Sequence, residues 1–344
     1  MARLIQYTLI FASVLMLVAL GGCFSEHSGI INIGLAGIMV IGAMGGALMM
    51  RYLPDGTSAP VMIVMVCLAA VLAGAMYSML LAVAAINFNA DQTIIGTAMN
   101  MLGTALATVV VKALNMAADP NNVSSTIENA NQKKAFYFNV PFPTIEKIEN
   151  TVLNLETMEI ETVTESYHLA MGTLELSWFM VIAVVLLVVS HVVLYKTRFG
   201  LRLCACGEHP QAADSVGINV YKMRYAGVLI SGILGGLGGI VYITSGVSEW
   251  KFENGVAGFG FLALAVMIFG QWKPMNIALA ALLFGLMRAL SNVYVAFDFL
   301  AGLNIPGTVY NMLPYIISLV VLIFTSKKSR APKAEGIPYD KGSR

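Results

Sequence analysis

The 344-residue sequence is short of charge: Asp, Glu, Lys and Arg make up 11% of it, against 58% apolar residues and a mean hydropathy of +0.78. A soluble domain carries about 25% charged residues, so an ordinary water-soluble fold is excluded. The four cysteines, Cys23, Cys67, Cys204 and Cys206, make no Cys-x-x-Cys pair, which leaves neither a disulfide framework nor a metal site. Nucleotide and catalytic signatures are missing too. No Gly-x4-Gly-Lys-Ser/Thr is present, so the chain does not bind ATP through a P-loop, and neither His-Glu-x-x-His nor Gly-x-Ser-x-Gly occurs. No convergent acid–base or metal cluster supports a membrane enzyme. No ionisable residue falls in the middle of an apolar run: Lys112, His191 and Arg288 lie toward run ends, and Glu26 and His27 lie between the first two. Ion-coupled carriers bury carboxylates on their pathways. Their absence here points to an external energy source. The net charge of +1 implies no nucleic-acid partner.

What is abundant is long apolar stretches. They cover Leu4–Gly22, Ile30–Met50, Val61–Ile86, Thr93–Leu114, Leu176–Leu194, Tyr225–Thr244, Phe259–Gly270, Ile277–Tyr294 and Tyr310–Thr325. A span of a bilayer core takes about 20 residues, and in lipid each must be helical, because unpaired backbone groups cost several kcal/mol. The short run Phe259–Gly270 is expected to begin earlier, near Val256. Leu4–Leu20 followed by Leu20-Gly21-Gly22-Cys23 mimics a lipoprotein signal, but the run that resumes from Ile30 favours a first transmembrane helix. The expectation is an all-α polytopic membrane protein with about 8–10 transmembrane helices. Gly29, Gly34, Gly37, Gly42, Gly45 and Gly46 allow the second element to be broken or re-entrant.

The chain divides into an N-terminal transmembrane half (1–114), an extracytoplasmic insertion (115–173), a C-terminal half (174–325) and a basic tail (326–344). Lys196, Arg198, Arg202, Lys222 and Arg224 make the loop 195–224 cytoplasmic, as Lys327, Lys328, Arg330, Lys333, Lys341 and Arg344 make the tail. The even number of spans between them agrees, and puts Gln271–Pro274 inside as well. Counting back puts Asn115–Leu174 outside and the N-terminus outside, unless the second element is re-entrant. Of this insertion, Ala117–Asn131 reads as irregular and Phe136–Pro143 as extended, with Pro141 and Pro143 blocking a helix. Ile145, Ile148, Val152 and Leu155 recur at helical spacing and predict an amphipathic helix. The insertion is either a docking surface for an extracytoplasmic partner or a solvated cap.

Gln92, Gly96, Asn100 and Thr104 fall at four-residue steps, flanked by Thr93 and Thr97, and so share one helical face. Two readings stand for Gln92, Thr97 and Asn100, and for Asn32: a solute pathway, or interhelical hydrogen bonds. Gly232, Gly235, Gly236 and Gly239 lie inside an apolar run at spacings that let helices approach closely, and are read as packing positions. In the loop 195–224, Pro210 starts a short helix through Gln211, Ala212, Ala213 and Asp214, which Gly217 ends. Such a helix is marginal alone and gains order by docking on a partner or by lying at the lipid surface.

That loop, TRFGLRLCACGEHPQAADSVGINV, resembles the cytoplasmic coupling segment of ABC importer permeases, with Cys204 where the family usually has Arg. FSEHSGIINIGLAGIMVIGA, ADQTIIGTAMNMLGTALAT, GFGFLALAVMIFGQWKPMNIALAALLFG and MLPYIISLVVL are similar to further elements of the nucleoside and simple-sugar permeases, relatives of the ribose and branched-chain amino-acid permeases. Ala36 stands where that family usually has Glu. The resemblance implies a multi-pass subunit of the cell (inner) membrane that binds no cofactor itself. It implies a cytoplasmic ATPase that uses ATP, a second related permease, usually as a heterodimer, and an extracytoplasmic binding protein or lipoprotein. It assigns coupling to Gly200, Gly207, Glu208, Pro210, Ala212, Ala213, Gly217 and Ile218, with Arg202 as a neighbouring cation. Its expected cargo is nucleosides, with simple sugars next. The competing functions are a branched-chain amino-acid permease and a standalone channel or carrier.

Overall fold

The computed structural model describes residues 2–54, 56–127, 136–153, 160–246, 250–297, 302, 305–325 and 331–341. Each of the nine apolar stretches holds a helix. These are α1 (Ala2–His27), α2 (Leu35–Tyr52), α3 (Ala59–Ala82, extended by a π turn to Asn87), α4 (Gln92–Ala118) and α5 (Trp178–Lys196). Between α5 and the next span come α6 (Arg198–Glu208) and α7 (Pro210–Ser215); then follow α8 (Val220–Val241), α9 (Phe259–Phe269), α10 (Pro274–Val293) and α11 (Gly307–Thr325). Among the described residues seven are long and apolar enough to cross a membrane, and Phe259–Phe269 and Gly307–Val320 are shorter apolar helical stretches.

The centre of the bundle is α1. Val14, Leu15, Leu17, Val18, Ala19, Leu20 and Cys23 have no exposed surface, as befits a helix that is apolar all round. It packs between α8 and α10, while α2 and α3 pack on the other side of α8. In lipid, close backbone approach replaces the hydrophobic drive, and α8 supplies it through its glycines. A Cβ on Gly236 would lie 3.2 Å from the Gly74 Cα, and one on Gly239 would lie 2.7 Å from the Met39 carbonyl carbon. Gly232 meets Ser78 and Gly74, and Gly235 meets Ile38.

The bundle has two distinct ends. Gly207 abuts the carbonyl of His27, and the Ala334 N–H donates to the Gly207 carbonyl at 2.8 Å. The loop 195–224 and the tail therefore share one end, that of the expected coupling segment. At the other end the Tyr137 hydroxyl donates to the Thr244 carbonyl at 3.1 Å. Here β1 (Tyr137–Leu153) and β2 (Ile160–Ser177) form an antiparallel hairpin. The residue-2 end of α1 lies at this hairpin end, opposite its His27 end.

Several expectations are corrected. The amphipathic helix through Ile145, Ile148 and Val152 is strand β1, paired with Leu169, Ser166 and Glu161; Leu155 lies outside the described residues. A short isolated helix is marginal, whereas two Thr-, Ile- and Val-rich segments satisfy each other's backbone and suit a pleated surface. The helix at Phe259 does not begin near Val256, because Gly255, Ala257 and Gly258 have φ of +56°, +45° and +79°, values a right-handed helix does not contain. Glu26 and His27 are the last turn of α1 rather than a loop. The glycine-rich second element is broken only before α2: Gly29 takes φ +91°, and the chain is non-helical through Gly34. The coupling loop holds two helices, α6 as well as α7. The irregular segment expected from Ala117 begins after Ala118, and residues 128–131 lie outside the described ones.

Candidate functional site

The break at Gly29–Gly34 leaves backbone groups unpaired inside the bundle, and the polar face of α4 meets them. The Ile31 N–H donates to Gln92 Oε1 at 2.7 Å. Asn100 Nδ2 donates to the Ile33 carbonyl at 2.9 Å, while its Oδ1 accepts from the Gly37 N–H at 2.7 Å. Gly37 sits in the first turn of α2, where backbone N–H groups have no helical partner. Asn32 reaches the other way and donates to Ser231 Oγ on α8 at 2.8 Å. Gln92 Nε2 and Asn32 Oδ1 are buried without a hydrogen-bond partner among the described residues.

Beside this junction lies a cavity of about 430 Å³, lined by Ala36 of α2, Thr97, Asn100, Met101 and Thr104 of α4, the turn Asn254–Gly258, and Phe261. Its size falls within the roughly 300–1,000 Å³ typical of small-molecule sites. Thr97 and Asn100 line it; Gln92 and Asn32 do not. Its polar groups are hydroxyls, amides and backbone, and no charged side chain among the described residues lines it. Ala36 packs against Gly260, so a carboxylate usual at this position is absent from the wall. The turn that closes the cavity was not foreseen in the sequence. Lys112, two helical turns beyond Thr104, pairs with Glu253 next to Asn254 and ties the turn to α4. That hydrogen bond and charge hold the Glu253 carboxyl below the usual range.

The expected coupling segment is built by two caps. The Thr197 hydroxyl accepts from the Gly200 N–H at 3.2 Å and starts α6. Gly200 lies against the carbonyls of Val193 and Leu194, where a side chain would not fit. Pro210 occupies the first position of α7, and Gly217, at φ +84°, ends it. Pro210 and Ala213 point inward and are buried, with Ile218 half-buried. Arg202, Glu208, Gln211, Ala212, Ser215, Val216 and Gly217 are exposed. Cys204, at the position of the usual Arg, is half-buried, and burial pushes its thiol up to about 11.

Two charged side chains escaped the sequence reading of the pathway and the coupling segment. Glu26 is 3% exposed and accepts from Trp272 Nε1 at 2.5 Å. Gln271 and Trp272 both take φ of +55° in the α9–α10 turn, a conformation that persists where tertiary contacts over-determine it. Arg224, placed among the basic residues of an exposed loop, is 1% exposed.

The chain matches the family described as branched-chain amino acid transport system / permease component over residues 4–326. It is 38% identical over 343 residues to the guanosine ABC transporter permease protein NupQ of Bacillus subtilis, covering 99% of this chain and 97% of that one. It is 36% identical over 340 residues to the nucleoside ABC transporter permease protein NupC of Lactococcus lactis, covering 97% and 95%. A shorter match, 30% over 109 residues, joins it to the nucleoside ABC transporter permease protein NupB of the same organism, covering 32% and 30%. No solved structure matches. The helices, the broken second element and the capped coupling segment thus have a family: the chain belongs to the branched-chain amino acid transport system / permease component family.

Proposed function

We propose that this chain is the membrane-spanning permease of an ABC importer that carries nucleosides inward, driven by ATP hydrolysis on a separate cytoplasmic ATPase. The observation that carries the reading is the lining of the cavity between α2, α4 and the turn before α9: a mostly apolar wall that presents the hydroxyls and amides of Thr97, Asn100, Thr104 and Asn254, with an aromatic edge at Phe261 and no charged side chain among the described residues. A nucleoside is neutral and rich in hydrogen-bonding groups, and its base offers a face to an aromatic ring. A zwitterionic amino acid would bring two charges into a wall that offers neither counter-charge, which is costly. This favours nucleosides, then sugars, over branched-chain amino acids. The likeness to NupQ, a guanosine permease, and NupC, a nucleoside permease, supports the same choice.

In this reading the exposed face of α7, with Arg202 and Glu208 beside it, is the contact for the ATPase. Closure of the ATPase moves α6 and α7 as a rigid piece and switches the helices between outward- and inward-open states. The exposed side of α4, which carries Leu102 and Val109, faces a second related permease; Lactococcus lactis has two such nucleoside permeases, NupB and NupC. The hairpin end receives an extracytoplasmic binding protein or lipoprotein. The setting is the cell (inner) membrane.

Uptake of labelled guanosine, uridine, ribose and leucine by cells carrying the complete transporter tests the proposal. Nucleoside uptake that stops when the ATPase gene is removed is the expected result. Uptake of leucine alone overturns the nucleoside choice, and uptake that survives loss of the ATPase makes the chain a standalone carrier.

A further inference from the structure

The tail 331–341 does not trail away from the bundle. The Ala334 N–H donates to the Gly207 carbonyl at the end of α6 at 2.8 Å, and the Gly336 N–H donates to the Gly29 carbonyl just past α1 at 3.2 Å. Arg224, in the first turns of α8, donates from Nη2 to the Ile337 carbonyl at 3.0 Å and lies 5.9 Å from the centre of the Tyr339 ring. Tyr339 is 3% exposed and packs with Cys206 of α6, Ala213 of α7 and Val220 of α8, and its ring centre lies 5.4 Å from that of Tyr221. Four separate pieces of the coupling end therefore meet on eleven residues of tail.

We infer that this segment is a coupling strap, in which Tyr339 and Arg224 are positioning residues that fasten the ATPase-facing helix α7 to α1 and α8. The inference rests on the coupling role proposed above for α7. The physical need is plain. A six-residue helix has too few internal bonds to hold its own orientation, and α7 buries little beyond Pro210 and Ala213. A loosely attached α7 would absorb the displacement it receives. With Tyr339 wedged against Ala213, Cys206 and Val220, motion of α7 is passed to α8, and through the Gly336–Gly29 bond to the end of α1, the centre of the bundle. The strap also gives the buried guanidinium of Arg224 a carbonyl and an aromatic face, without which that charge would be badly solvated.

The test uses the complete transporter with its ATPase, comparing the parent with Tyr339→Ala, Tyr339→Phe, a chain ending at Arg330, and Ala212→Arg. The readouts are the amount inserted, ATPase recovered on purification, and solute moved per ATP hydrolysed. A fourth is the alkylation rate of Cys206 in a chain whose other three cysteines are alanine. Burial pushes the Cys206 thiol up to about 11, so the docked parent reacts slowly at neutral pH. Tyr339→Ala and the truncated chain are expected to insert and keep the ATPase. They should move about 2- to 30-fold less solute per ATP, the span of coupling changes caused by side chains that touch neither ligand, and alkylate faster. Tyr339→Phe, which keeps the ring, should stay closer to the parent than Tyr339→Ala in every readout. Parent-level coupling in Tyr339→Ala, or unchanged Cys206 alkylation in the truncated chain, overturns the strap. Ala212→Arg separates the two ideas: parent-rate uptake there overturns the coupling role of α7 itself, whereas loss there with parent-level coupling in Tyr339→Ala overturns the strap alone.

Discussion

The backbone of Gly37 is pinned by the side chain of Asn100: the N–H of the first donates to the Oδ1 of the second at 2.7 Å, and a Cβ on Gly37 would lie 3.1 Å from the Asn100 Cα. The same amide serves the Ile33 carbonyl. Asn100 thus closes the broken stretch before α2 and forms part of the cavity wall.

Asn100→Leu is therefore expected to destabilise the protein as well as impair uptake. It strands an acceptor and a donor, each worth about 1–3 kcal/mol when buried without a partner. Thermal unfolding in mild detergent should show a clear fall. An unchanged melting temperature would mean that the break does not depend on this amide.

Thr97→Val should behave differently. Among the described residues the Thr97 hydroxyl bonds to carbonyls of its own helix alone, those of Thr93 and Ile94, so stability should hold. If the cavity carries solute, losing the hydroxyl should raise the KM for uptake by about 2- to 10-fold, the value of one hydrogen bond. Identical uptake kinetics would take Thr97 off the pathway.

Gly239→Leu should be more damaging than its small size suggests. The new side chain would meet the Met39 backbone, and overpacking of this kind costs roughly 1–3 kcal/mol or more when backbone must move. Lower yield of folded protein and a lower melting temperature are expected. Full stability would show that α8 and α2 are not in close contact.

Glu208→Lys, on the exposed rim of the coupling segment, should leave insertion and melting unchanged while abolishing uptake. Normal transport by this variant would contradict a coupling role for Glu208.

The Lys112–Glu253 pair makes a pH-dependent clasp on the cavity turn. Its carboxyl is held below the usual range, first by the hydrogen bond from Lys112 and then by its charge. A depressed folded-state pKa adds stability above the unfolded carboxyl value, about 4.3, and loses it as pH falls through the folded value. The pair is exposed, so the effect is small and weakened by salt. Titration of labelled Glu253 should give a midpoint below that of an ordinary glutamate, and Lys112→Gln should raise it toward the usual range. A midpoint that Lys112→Gln does not move would dissolve the clasp.

Much of the coupling segment was legible because its signals are local. Pro210 presets the first helical turn and Gly217 alone tolerates the left-handed exit, so α7 could be read from spacing. The hairpin was misread for the opposite reason. Ile145, Ile148 and Val152 fit a helix by themselves, and only the partner strand, many residues on, makes them β. Arg224 and Tyr339 are 115 positions apart in number, and no local pattern joins them.

Apolar length and the scarcity of charge determined by themselves that this chain is a bundle of membrane helices, because lipid accepts a backbone only when each segment pairs its own polar groups. The small residues of α8 and the punctuation of α7 were likewise written locally. Which polar side chain repairs which gap, which carboxyl is buried, and where the tail lies were decided by tertiary structure alone. Those depend on distances between distant parts of the chain, and a buried donor or charge is satisfied by whatever partner the packing brings near.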